Sequence, residues 1–304
     1  MTNKPAYHIP VMLAECLEGL QITPNGTYID VTFGGGGHSR AIFEQLSSEG
    51  RLIGFDQDPD AAKNKWDAPN FDFIAANFAY ISNHLRLLGI THVDGILADL
   101  GVSSHQFDEV ERGFSIRGEA QLDMRMNQNI EITAETVLHT YSEGELLRVF
   151  RSYSDIANAK KLVRAIVDAR ANGKIKTTTQ LLEAINHCAP KHKEHKYFAQ
   201  VFQALRIEVN DEMDALESFL NQCEKVLKPG GRLVVMSYHS LEDRMVKNYM
   251  KRGSISGVIE KDFFGNILKP FTEIVRHPIT ASEEELEQNN RARSAKLRIA
   301  ERNG

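Results

Sequence analysis

Two carboxylates and a glycine run carry most of the chemistry on offer. Asp56 ends the apolar run "RLIGFD", and Asp99 ends "VDGILAD". Residues 34 to 37 are consecutive glycines between "YIDVTF" and the helix-forming "HSRAIF". A strand–glycine–helix unit aims helix amides at a ligand. Glycines, lacking Cβ, let that ligand approach the backbone. A P-loop requires Lys-Ser or Lys-Thr after its last glycine, whereas Gly37 is followed by His38-Ser39. A dinucleotide fingerprint, G-x-G-x-x-G, finds Gly34 and Gly36 but Ser39 in the third place. S-adenosylmethionine needs the same close approach, plus a carboxylate ending the second strand for its ribose hydroxyls. Asp56 stands there, about twenty residues on. On the glycines alone, a nicotinamide cofactor and a ligand-free tight turn remain the other readings.

Asp99 bears on the acceptor. A nucleobase amine is a poor nucleophile because its lone pair is delocalised into the ring. Many amino-methyltransferases answer with Asp/Asn-Pro-Pro-aromatic after the fourth strand, whose acceptors hold the amine hydrogens. Here the stretch is Asp99-Leu100-Gly101-Val102, which keeps the acid without the prolines or the aromatic. These residues by themselves leave the target open. "SYHSLED", residues 237 to 243, ends a later apolar run on the same edge. Ser237 and His239 join Asp99 as catalytic candidates, with Tyr238 and Ser240 beside them. Residue order and context exclude a Ser-His-Asp hydrolase. His187, Cys188, His192 and His195 match no standard zinc spacing and read as a basic loop, not a metal site. The H-x-E and P-C-x-x-C signature of zinc deaminases is missing.

The elements that must position these residues follow from the apolar pattern. Strands are expected at "TYIDVTF", "RLIGFD", "FDFIAAN" and "VDGILADLG", alternating with helices, one of them opened by Asp58-Pro59. That alternation argues for a parallel sheet with helices on both faces. After Gly101 a loop-like stretch to about residue 130 gives way to helical segments without strands. One long helix is expected through "YFAQVFQALRIEVNDEMDALESFLNQCEKVL", then a strand at "RLVVMSYHS". "FTEIVRHPI" and "AKLRIAE" close the sheet around an acidic helix. The organisation is a discontinuous α/β domain, residues 1–107 and 197–304, holding a helical insert, residues 108–196.

The chain has 304 residues and a net charge of -5, so no global basic field advertises nucleic acid. Cys16, Cys188 and Cys223 show no paired spacing, which fits a reducing cytosol. No apolar run reaches the length of a membrane span, and the N-terminus lacks the apolar core of a signal peptide.

The longer motifs are "HIPVML", "IDVTFGGGGHS", "DGILADLGVSS", "ERGFS", "LDMRM", "FQALRIEVNDE", "PGGRLVVMSYHSLEDRMVK" and "RARSAKLRIAER". Together, from residue 8 to the C-terminus, they resemble the bacterial 16S ribosomal RNA (cytosine-N4) methyltransferase family, RsmH or MraW. The resemblance implies a class I, Rossmann-like methyltransferase fold with S-adenosylmethionine as donor. It implies as acceptor a cytosine in the decoding centre of 16S rRNA, within the small subunit or a late assembly particle. A cytoplasmic location and a homodimer come with it, and no membrane. The family's cofactor contacts fall on Gly36, Gly37, His38, Asp56, Phe78, Asp99 and Gln106. His105 stands where the family usually has proline, Asn127 where aspartate is usual and Asn290 where proline is common. RNA contact must then come from local charge. Candidates are Lys174, Lys176, Lys191 and Lys193 in the insert, Arg291 and Arg293 near the C-terminus, and Arg112, Arg117 and Arg125 after the fourth strand.

Overall fold

The computed structural model describes residues 10–173 and 175–304. The chain opens with α1 (Leu13–Leu20), β1 (Thr27–Asp30), α2 (Gly37–Phe43), β2 (Arg51–Asp56), β3 (Phe71–Ala75), α3 (Ile81–Leu87) and β4 (Val93–Asp99). Next come α4 (Ser104–Asp108), α5 (Ala134–Thr140), α6 (Glu143–Ser152), α7 (Ala159–Asn172), α8 (Thr178–Ile185) and α9 (Glu194–Val209). The chain finishes with α10 (Glu212–Val226), β5 (Leu227–Ser237), α11 (Ser240–Arg252), β6 (Phe271–Glu273), α12 (Glu283–Gln288) and β7 (Lys296–Arg302).

Among the described residues, one seven-stranded sheet runs in the order β3-β2-β1-β4-β5-β7-β6. Pairing is parallel from β3 to β5, and β7 lies antiparallel between β5 and β6. This is the class I methyltransferase fold that the sequence leads one to expect. Successive side chains point to opposite faces. Ile29, Ile53, Ile96 and Val235 therefore pack on one side, against α10 residues such as Leu216 and Phe219. Tyr28, Leu52, Leu97 and Val234 pack on the other, with Leu20 of α1 and Ile42 of α2. Both faces are covered, which is why these strands read as continuous apolar runs. The strand order reverses between β1 and β4, and ligands of such sheets bind outside the carboxyl ends of the strands at that point. Asp30 and Asp99 are the last residues of those two strands.

Contacts divide the chain into two compact units, Met1–Gly101 with Met213–Gly304, and Val102–Glu212. The helical unit is wider than residues 108–196. Its C-terminal limit moves because Tyr197, Val201, Phe202 and Leu205 of α9 are buried in the same core as Leu138, Phe150, Leu162 and Leu181.

Other expectations give way as well. The single long helix is two, α9 and α10, parted where Asp211 adopts φ 48°. Asn210 fixes the break. Its Oδ1 accepts the Met126 N–H at 2.7 Å, and its Nδ2 donates to the carbonyls of Met124 at 2.7 Å and Arg206 at 2.8 Å. Asp58-Pro59 opens only a short 3-10 turn, Pro59–Asn64, capped by the Asp58 carboxylate. Arg112 and Arg125 are not presented to a partner. Arg112 is buried, donating to the Arg125 and Met126 carbonyls. Arg125 is forked onto Asp123 at 2.7 Å. Both organise their own loop. No helix of the described residues is long and apolar enough to cross a membrane.

Candidate cofactor and acceptor site

A buried carboxylate underlies the glycine loop. Asp30 Oδ1 accepts the Thr32 N–H at 3.1 Å, and its Oδ2 accepts the Ser39 hydroxyl at 2.6 Å. Thr32 Oγ1 in turn accepts the Asp99 N–H at 2.7 Å. Ser39, the residue that spoils the dinucleotide fingerprint, thus ties the start of α2 to the end of β1. Thr32 ties the loop to the end of β4.

The glycines divide their tasks. Gly34 at φ 50° and Gly36 at φ 75° turn the loop through the left-handed region. A Cβ on Gly37 would lie 2.4 Å from Pro10 Cγ, so packing demands that glycine. A Cβ on Gly35 would meet nothing within 4 Å. Gly35, which the sequence reading passed over, is where the loop opens onto space that a ligand can fill.

Asp56 closes the next strand. Its Oδ2 accepts the Gly34 N–H at 2.7 Å and its Oδ1 the Asp58 N–H at 2.8 Å. A carboxylate offers about four lone-pair sites, so each oxygen keeps one for a hydroxyl donor. The same bonds lock the glycine loop to β2.

Asp99 closes β4 and faces Tyr238 and His38. The Tyr238 hydroxyl donates to Asp99 Oδ1 at 2.8 Å. Burial, followed by the Asp99 charge, pushes the phenol far above its ordinary value, so it remains a donor. His38 Nε2 lies 3.0 Å from the Val11 carbonyl, which can only accept, so that nitrogen carries the proton. His38 Nδ1 then faces Asp99 Oδ2 at 3.8 Å.

Desolvation raises both carboxyl groups to about 6, and the neighbouring donors only partly offset it. The sign of the consequence is fixed by linkage. A raised carboxyl binds protons more tightly in the native state than in the unfolded chain. This contribution favours the fold below about pH 4 and is lost as pH rises through about 6. The ligand-free protein therefore carries ionised Asp99 at a cost near neutrality. Asp99→Asn, which keeps an acceptor for Tyr238, is expected to raise the melting temperature at pH 7.5 by about 2–4 °C. The gain should shrink towards pH 5. Calorimetric scans at the two pH values check this, and a gain that does not vary with pH would contradict it.

The family model described as the MraW methylase family matches residues 5–303. The chain belongs to that family. Curated relatives named "Ribosomal RNA small subunit methyltransferase H" include one from Cytophaga hutchinsonii, 54% identical over 97% of this chain and 99% of its own length. Another, from Flavobacterium johnsoniae, is 52% identical over 99% of this chain and 100% of its own. A solved SAM dependent methyltransferase from Aquifex aeolicus aligns at 9% identity and a TM-score of 0.39, covering 98% of this chain and 93% of that one. The open Gly35 face and the two strand-end carboxylates fit S-adenosylmethionine, the methyl donor of such a methylase.

The remaining candidates of this MraW family chain take varied places. Phe78 lies in the 3-10 turn Phe78–Tyr80 after β3, half-buried and edge-on to Phe219 at 5.4 Å between centroids. Gln106 is buried in the helical unit, where its Oε1 accepts the Ser103 N–H at 3.0 Å in a capping box for α4. Ser237 and His239 make their hydrogen bonds to groups other than Asp99. The Ser237 hydroxyl reaches the Lys296 carbonyl at 3.4 Å. His239 caps α11, its Nδ1 accepting the Glu242 N–H at 3.4 Å. Tyr238, between them, is the residue that meets Asp99. The signal for it was present, since side chains alternate along a strand and residue 238 is expected opposite to residues 237 and 239. Lys176, Lys191, Lys193 and Arg293 are exposed and Arg291 is half-buried. Lys174 lies outside the described residues.

Proposed function

We propose that this chain transfers a methyl group from S-adenosylmethionine to the exocyclic N4 amine of a cytosine in the decoding centre of 16S rRNA. It acts in the cytoplasm, on the small subunit or a late assembly particle. The observation that carries this reading is the Asp99 carboxylate. It ends β4 at the sheet's switch point, oriented by the Tyr238 hydroxyl and joined through Thr32 to the glycine loop. A delocalised amine needs an acceptor for its hydrogen as it attacks, and this carboxylate is fixed for the task. Gly34, Gly35 and Gly36 admit the cofactor's backbone approach, and Asp56 takes the ribose diol. His38 and Phe78 flank the same edge. The relatives' shared name supports the small subunit RNA as substrate, and the sequence resemblance supports the cytosine. A stacked, paired base cannot reach this edge, so the cytosine is turned out of its helix. The exposed Lys176, Lys191 and Lys193 of the helical unit, with Arg293, supply cations for RNA phosphates.

The test is methyl transfer from labelled S-adenosylmethionine to small ribosomal subunits that lack the modification. Digestion and nucleoside mapping should place the label on N4 of a single cytosine in the decoding centre. Label on another nucleoside, or none on RNA, would overturn the reading.

A further inference from the structure

The chain between α11 and β6 leaves the sheet and returns, and its outer end is a built turn. Lys261 bridges to Ile267, and the Leu268 N–H donates to the Glu260 carbonyl at 2.8 Å. Asp262 holds the apex. Its Oδ1 accepts the N–H groups of Phe264 at 2.9 Å and Asn266 at 2.8 Å, and its Oδ2 accepts Asn266 Nδ2 at 2.9 Å. Gly265 supplies the left-handed residue at φ 87°. On this turn Phe263 is 97% exposed and Phe264 85%. The two rings meet edge to face, with centroids 5.7 Å apart and planes at 86°. In that geometry one ring's edge covers one face of the other, and the high exposure of both leaves the remaining faces open to solvent. Adjacent aromatics held out in water on an ordered support mark an interaction site. Because the turn is already ordered, binding there escapes most of the ordering cost.

The surrounding charge selects the occupant. Residues 247–269 carry Lys247, Lys251, Arg252, Lys261 and Lys269 against Glu260 and Asp262, in a chain of net charge -5. The Asp262 carboxylate is already engaged by the amides of the turn. Aromatic faces among cations are the composition of single-stranded nucleic-acid platforms, where bases stack without sequence preference. A phenylalanine offers no hydrogen-bonding group, so it reads a base's face and not its edge. Helix α11 starts beside Tyr238 and spans about 20 Å at 1.5 Å per residue. The turn follows the far end of that helix, not the end that carries Tyr238.

We infer that Phe263 and Phe264 form a stacking platform for unpaired RNA bases that flank the methylated one. This rests on the ribosomal RNA reading above. The test compares the full-length wild type with the Phe263→Ala/Phe264→Ala, Phe263→Leu/Phe264→Leu and Phe263→Trp/Phe264→Trp pairs. One probe is a fluorescent single-stranded oligocytidylate; the other is the small ribosomal subunit in the methylation assay. The alanine pair should raise the oligonucleotide Kd about tenfold or more and raise KM for the subunit. Melting temperature and S-adenosylmethionine affinity should stay as in wild type. The leucine pair, still apolar but without a π face, should bind as weakly as alanine, and tryptophan should restore affinity. An unchanged Kd and KM in the alanine pair would overturn the platform. So would leucine binding like wild type, or a variant that loses self-association in sedimentation while keeping its RNA affinity, which would assign the turn to a second copy of the chain. If wild type binds the oligonucleotide through these residues yet methylates no 16S rRNA, the functional reading fails and the platform stands.

Discussion

Asp99→Asn is expected to slow single-turnover methyl transfer at saturating cofactor by about 10²–10³-fold, with a smaller loss of cofactor affinity. S-adenosylmethionine, when bound, supplies an electrophilic methyl group on a sulfonium. On the proposed reading, what the protein adds is a fixed negative charge where the amine becomes positive. Asp99 is pre-oriented for this, with Oδ1 held by the Tyr238 hydroxyl at 2.8 Å and its backbone N–H held by Thr32 at 2.7 Å. Burial makes that charge effective, and the same burial raises its pKa to about 6. Asparagine keeps the shape and an acceptor but not the charge or the capacity to take a proton. The wild-type rate should therefore fall as pH drops through about 6, because protonation removes the acting carboxylate. The asparagine variant should lack that limb. A variant with a near wild-type rate at saturating cofactor would assign Asp99 to cofactor binding alone. The substitution that costs rate is also the one expected to stabilise the empty protein near neutrality, since both effects arise from one buried carboxylate.

The strands that carry this site were legible because strands covered on both faces become unbroken apolar runs, and Asp56 and Asp99 punctuate two of them. The glycine run was legible for the same reason, as the link between such a strand and a helix. Where the reading failed, the deciding contact was remote in sequence. Asn210 ends α9 by bonding to the backbone of Met124 and Met126, more than eighty residues earlier. A local apolar period continues straight through that point. Arg112 and Arg125 look like exposed cations in a polar loop, yet carbonyls and a carboxylate within the folded loop consume them. The assignment within "SYHS" required knowing which residue left the strand facing β4. Ser237 turned to the β7 backbone and His239 to a helix cap, while Tyr238 took the site. Among the glycines, spacing marked a turn, but only the built loop separates Gly35, which is open, from Gly37, which is pressed on Pro10.

Asp56→Ala is expected to weaken S-adenosylmethionine binding by about 1.5–3 kcal/mol, as for the loss of a charge-assisted hydrogen bond. By the conversion of about 1.4 kcal/mol per decade this is roughly a 10- to 150-fold rise in Kd. Two effects contribute to it. On the proposed reading the carboxylate's remaining lone pairs accept the ribose hydroxyls, and alanine leaves those hydroxyls without acceptors. The carboxylate also accepts the N–H groups of Gly34 and Asp58, so its removal frees the loop that must close around the cofactor. Asp56→Asn separates the two. One amide oxygen can still hold the Gly34 N–H, while the charge and the second acceptor are gone. If diol recognition dominates, the asparagine variant binds nearly as weakly as alanine. If loop anchoring dominates, it binds nearly as well as wild type. Because the acting form is the carboxylate, wild-type affinity should also fall as pH drops through about 6, the value to which burial raises Asp56. Isothermal calorimetry across that range, on variants that melt as wild type does, reads all three outcomes. An alanine variant of unchanged affinity would remove Asp56 from the cofactor site.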